Sequence, residues 1–154
     1  MSNMIIGDPF IVYALGKQDA TSKVLSEGKV EGRHGVAIPY LFVFINLLTA
    51  DGESICTNAI IDTGADVCAM SPQIEEKLGL EPIEKLGVSG VISTKASAAY
   101  KVSFSMGNSI KIKDALTLVY PNFQELGIDM LIGMNVIRHG DLTVRRDGTF
   151  IFEI

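Results

Sequence analysis

The amino-acid sequence predicts an all-β protein, and three observations carry that prediction. Apolar and β-branched residues recur mostly at a period of two, the 15 glycines punctuate the chain throughout, and two Asp-Gly pairs are each flanked by strand-like runs. A length of 154 residues fits one domain with a single core. In chain order, Ile5 to Leu15 reads as a first strand or an arm, and the polar stretch Gly16 to Gly35 as a loop or ragged hairpin. Residues 1–35 are therefore expected to be an N-terminal arm or extension, an interface segment or a propeptide, with the domain proper spanning 36–154. Val36 to Leu48 and Ser54 to Ile61 flank Ala50-Asp51-Gly52-Glu53 and should pair antiparallel. A short helix is expected over Pro72 to Leu78. Ser71 is its N-cap, Pro72 its first residue, Glu75 and Glu76 lie near its positive end, Gly79 stops it, and Ile74 and Leu78 form its apolar face. A second short helix is expected from Asn135 to His139, closed by Gly140, with His139 serving as a charge at the helix C-terminus rather than as a ligand. The chain ends on a hairpin, Leu142 to Arg145 and Thr149 to Ile154 around Asp147-Gly148. In its last strand Phe150, Phe152 and Ile154 share one face and Ile151 adds an apolar residue to the other. That pattern suits either an intersubunit strand or a two-sided core strand within one subunit.

Composition excludes several function classes. With 47% apolar and 20% charged residues the chain is globular. A net charge of −5 without a block of like charges offers no footprint for nucleic acid or an anionic membrane. The longest apolar stretch, Val36 to Leu48, is interrupted by Pro39 and Asn46 and falls short of the roughly 20 residues that span a bilayer. Met1 to Leu15 has no basic n-region and carries Asp8, which predicts no secretory signal and, by default, a cytoplasmic address. Cys56 and Cys68 form neither a disulfide framework nor a zinc pattern, so both are expected to be buried thiols, and no metal or cofactor is expected. Phosphate-loop, dinucleotide and His-Glu-x-x-His motifs do not occur. Gly87-Val88-Ser89-Gly90 is not a nucleophile elbow, and neither His34 nor His139 lies near a Ser or Cys pattern, so serine hydrolase chemistry has no support.

Chemistry concentrates in Ile60-Ile61-Asp62-Thr63-Gly64-Ala65-Asp66, where an apolar β-branched strand runs directly into an acid, a hydroxyl and a glycine. A buried strand delivers Asp62 into a partly desolvated position, and Gly64 lets the backbone turn without a Cβ clash. The same letters also suit a simple Asx turn after a strand. A second apolar run, Met130-Leu131-Ile132-Gly133-Met134, closes on a glycine and leads into the second helix.

Together, in this order, the two segments resemble the retropepsin family of aspartic proteases over about Val36 to Ile154. The resemblance implies a retropepsin-like acid protease fold: a closed, barrel-like all-β subunit with one or two short helices, active as a homodimer. It implies that Asp62 is the catalytic aspartate, that the Thr63 hydroxyl ties the two catalytic loops across the dimer, that Gly64 supplies a backbone acceptor for bound peptide, and that Gly133 lies beside the catalytic loop. Asp66 would help to bind the substrate main chain. Where many retroviral members follow the second glycine with an arginine that holds this acid, the present chain has Met134, so Asp66 would turn to Arg138 or Arg33 or stay solvated. A flap is expected within Glu84 to Tyr100, over Gly87, Val88, Ser89, Gly90, Val91 and Ile92. Ala65, Val91, Ile92 and Ile132 would line substrate pockets. The implied function is an aspartic endopeptidase acting on polypeptides. Because the chain holds a single Asp-Thr-Gly, the two carboxylates that must share one proton would come from two subunits at a two-fold axis, working at acid to near-neutral pH. Ala65, where other aspartic proteases often carry Ser, would move the optimum upward. The alternatives are an inactive peptide-binding or dimerisation module on the same fold, or a small-molecule-binding β-barrel matched by accident.

Overall fold

The computed structural model describes residues 22–83, 98–121, 123 and 127–154. These form strands β1 (Lys23–Ser26), β2 (Lys29–Arg33), β3 (Leu41–Leu48), β4 (Ser54–Ile61) and β5 (Cys68–Met70), then helix α1 (Pro72–Leu78). Next come β6 (Ala99–Met106), β7 (Ile110–Val119) and β8 (Met130–Ile132), helix α2 (Met134–Ile137), and the final pair β9 (Asp141–Val144) and β10 (Thr149–Glu153). Seven strands make one sheet in the order β1-β7-β5-β8-β4-β3-β6, and β6 also pairs with β7, so the last six close into a barrel with β1 on the outer edge of β7. The remaining three form a separate sheet, β2-β10-β9.

Alternation decides the inward faces. In β3, Val43, Ile45 and Leu47 point into the core while Phe42, Phe44, Asn46 and Leu48 point out. In β4 the alternation gives way to three consecutive buried residues, Ala59, Ile60 and Ile61, where β8 pairs alongside in parallel and both faces are covered. The expected β3–β4 hairpin forms from Leu41↔Ile61 to Leu48↔Ser54. Its strand starts at Leu41 rather than Val36, because Val36 to Tyr40 makes the connection from β2; Val36 is fully exposed and Pro39 has no N–H to give to a ladder. Helix α1 is as expected: the Ser71 hydroxyl accepts from the Ile74 N–H at 3.2 Å and Gly79 closes it at φ 63°. Helix α2 starts one residue earlier than expected and ends at Ile137.

Two expectations are corrected, and one of the two readings of the last strand is decided. The polar stretch 16–35 contains two strands that pair with distant partners, β1 with β7 and β2 with β10, rather than with one another. Half-buried Val24 and buried Val30 supply their inward contacts, so the sheets begin ahead of Val36. Strand β10 is the middle strand of its sheet, with β2 on one edge and β9 on the other, and Phe150 and Phe152 fully buried. Both of its edges are therefore filled within one chain, which leaves no edge of 149–153 for an intersubunit ladder. Cys56 is exposed, because it shares with Ser54 and Asn58 the outward face of β4; only Cys68 is buried. The expected arm or strand over Ile5 to Leu15 and the flap residues Gly87 to Ile92 lie outside the described residues. Among the described residues no helix is long and apolar enough to cross a membrane, and no three His, Cys, Asp or Glu side chains are grouped to hold a metal ion.

Candidate active site

Parallel pairing of β4 with β8 builds the site. Ile61 stands opposite Ile132, so the residues that follow each strand, Asp62 and Gly133, emerge side by side, and the Asp62 N–H donates to the Ile132 carbonyl at 2.9 Å. A tight turn over Thr63 and Gly64 then brings the Gly64 N–H onto Asp62 Oδ1 at 2.9 Å and the Ala65 N–H onto the Asp62 carbonyl at 3.2 Å. The acid is thus held from its own loop. Its other oxygen, Oδ2, is buried and has no hydrogen-bond partner among the described residues. An orphaned buried carboxylate oxygen is costly, and it marks the atom to which a further proton, water or carboxyl group would bind.

The loop is locked from behind by α2. The Met134 N–H donates to the Ala65 carbonyl at 2.7 Å and the Asn135 N–H to the Asp66 carbonyl at 3.1 Å. Gly133 makes that approach possible, since a Cβ there would lie 2.4 Å from the Val67 carbonyl oxygen and 2.9 Å from that of Ala65. Under the loop the Cys68 thiol donates to Asn135 Oδ1 at 3.4 Å and accepts from the Gly133 N–H at 3.5 Å, and burial pushes its pKa up to about 12. It stays a neutral thiol. The Asn135 amide reaches the Leu116 carbonyl on β7 at 3.0 Å, while the buried Ser22 hydroxyl donates to the Asn135 carbonyl at 2.8 Å and lies 2.9 Å from His139 Nε2. Burial first, and the neighbouring Arg138 second, lower the pKa of His139. Its imidazole lies against the Ser22 hydroxyl, two residues past the end of α2.

The sequence-predicted residues divide clearly. Asp62, Thr63, Gly64, Ala65, Asp66 and Gly133 come together; Thr63, Gly64 and Asp66 are exposed, whereas Ala65 and Ile132 are fully buried and Ile132 belongs to the core, so neither side chain faces an open pocket. Arg33 and Arg138 do not take up Asp66: the Arg33 guanidinium donates to the Asp147 carbonyl at 3.2 Å, and the one ion pair among the described residues is Lys29–Glu31. Sequence reasoning passed over Asp129. Its carboxylate accepts from Thr57 Oγ1 at 2.8 Å and Ser71 Oγ at 3.1 Å, fixing the start of β8 against β4 and α1. An acid directly before the apolar run 130–132 was the available signal.

The family model described as aspartyl protease matches residues 48–136, which includes both the Asp62 turn and Gly133. The chain belongs to the aspartyl protease family. Among solved structures, this aspartyl protease family member is similar to a retropepsin-like aspartic protease from Rickettsia conorii, at 17% identity and a TM-score of 0.55, over 86% of this chain and 93% of that one. It also aligns with the retroviral protease-like domain of Ddi1 from Leishmania major, at 10% identity and a TM-score of 0.44, over 70% and 83% of the two chains. No curated protein matches it. The fold is retropepsin-like.

Proposed function

We propose that this chain is an aspartic endopeptidase in which two Asp62 carboxylates, one from each subunit of a homodimer, activate water against a peptide carbonyl. The observation that carries the reading is the Asp62 carboxylate itself: Oδ1 is held by the Gly64 N–H, and Oδ2 is buried with no partner among the described residues, in a chain that has one Asp-Thr-Gly. A second carboxyl group sharing one proton would satisfy that atom. In the reaction the ionised carboxylate takes a proton from water as its oxygen adds to the carbonyl carbon. The protonated carboxyl gives its proton to the carbonyl oxygen, and collapse of the diol passes a proton to the departing amine. Thr63, exposed on the turn, would brace the two loops against one another, and the Gly64 backbone would hold an extended polypeptide by strand-type hydrogen bonds. With β10 closed on both edges, a second copy would meet outer edges such as that of β9, which among the described strands pairs with β10 alone.

The test is cleavage of an unfolded protein mixture between about pH 3 and 7 by the wild type beside Asp62→Asn, with new termini identified by mass spectrometry. Cleavage lost in the variant is expected. Folded dimers of both proteins that cut nothing would make the chain a peptide-binding module instead.

A further inference from the structure

Asp66 is the other carboxylate of the Asp62 loop. Its backbone is fixed, with the carbonyl accepting from the Asn135 N–H at 3.1 Å and buried Ala65 and Val67 on either side, yet its side chain is exposed. The residue stacked on the loop from α2 is Met134, a half-buried neutral side chain packed on the core, which supplies no cation. Among the described residues no Lys, Arg or His forms an ion pair with Asp66. In a chain of net charge −5, the loop that carries Asp62 thus also presents an exposed carboxylate that has no ion pair among the described residues, on a backbone held by α2. Such a charge attracts cations arriving on a ligand and disfavours anionic ones. Asp66 lies four positions after Asp62, at most about 14 Å of chain, and an extended peptide advances about 3.3 Å per residue.

We propose that Asp66 is a specificity residue that selects peptides carrying Lys or Arg within about four residues of the bond to be cut. The inference rests on the peptide cleft proposed above. A main-chain contact alone would be indifferent to substrate charge; an exposed carboxylate is not.

The experiment exposes a proteome-derived peptide library to wild type, Asp66→Asn, Asp66→Lys and Asp62→Asn, reading retained peptides and new termini by mass spectrometry in low salt and in about 0.5 M salt. Wild type should enrich Lys and Arg about three- to tenfold over Asp66→Asn, with the bias weakened by salt, and Asp66→Lys should turn the preference toward Asp and Glu. A structural role for Asp66 would not reverse the preference. Cleavage that depends on Asp62 with the same residue preference in all Asp66 variants overturns the inference and leaves the protease intact. Charge-selective retention without any cleavage supports Asp66 and removes the protease. A wild type that shows no charge bias, either in the peptides it retains or in those it cleaves, overturns the inference outright.

Discussion

Gly133 lets α2 lie against the Asp62 loop, and Asp129 fixes the start of β8, the strand that runs into Gly133. A methyl group at 133 would sit inside contact distance of two backbone carbonyls that cannot move far, because α2 N–H groups already hold Ala65 and Asp66. Gly133→Ala is expected to cost about 1–3 kcal/mol in urea denaturation and to abolish cleavage even where the barrel remains folded. An unchanged midpoint would mean that the loop yields. Asp129→Ala leaves the Thr57 hydroxyl without an acceptor at the start of β8, a loss of about 1–3 kcal/mol, while Asp129→Asn keeps one acceptor oxygen and should lose less. Much of the site was legible residue by residue, since Asp62 to Asp66 and Gly133 lie in two short contiguous runs. The burial of Ile132 was not, because a three-residue strand between two neighbours buries both faces and leaves no alternation to read.

Strand β7 serves three neighbours, and one residue lets it do so. Its first half pairs with β1 and β6, its second with β5 and β6, and the register slips between Val102 and Phe104 where Asp114 takes φ 58° with its N–H on Ser103 Oγ at 3.1 Å. Such a bulge bends the strand and closes the barrel. Glycine adopts that conformation freely and a β-branched residue does not. Asp114→Gly should therefore leave the thermal midpoint unchanged or raised, and Asp114→Val should lower stability by about 1–2 kcal/mol. Equal midpoints would show that the left-handed backbone is not what shapes β7. At this scale the hairpins were readable because Asp-Gly turns join neighbours in sequence. Strands β1 and β2 were not, since their partners lie about 80 to 120 residues away and their letters are mostly polar. The central position of β10 in its sheet depends on the same distant pairing with β2.

Two whole-molecule properties follow from what the fold buries and what it leaves unfinished. His139 has its pKa lowered in the folded chain, so below its ordinary value of 6.5 the unfolded chain binds the extra proton first. The stability it contributes is full above that pH and is lost as the pH falls, so His139→Gln should flatten the decline in midpoint between about pH 7 and 5; a parallel decline in both proteins would remove His139 as its source. The unfinished part is Asp62 Oδ2. If two copies complete one site, a chain that dimerises but lacks the acid must poison the wild type. Mixing wild type with an equal amount of Asp62→Asn and allowing exchange leaves a quarter of twice as many dimers fully acidic, so activity falls to about half, and a ninefold excess takes it to about a tenth. A site complete within one chain would keep all of its activity in both mixtures. The same titration run with a variant that cannot dimerise should also leave activity untouched, which separates subunit exchange from competition for substrate.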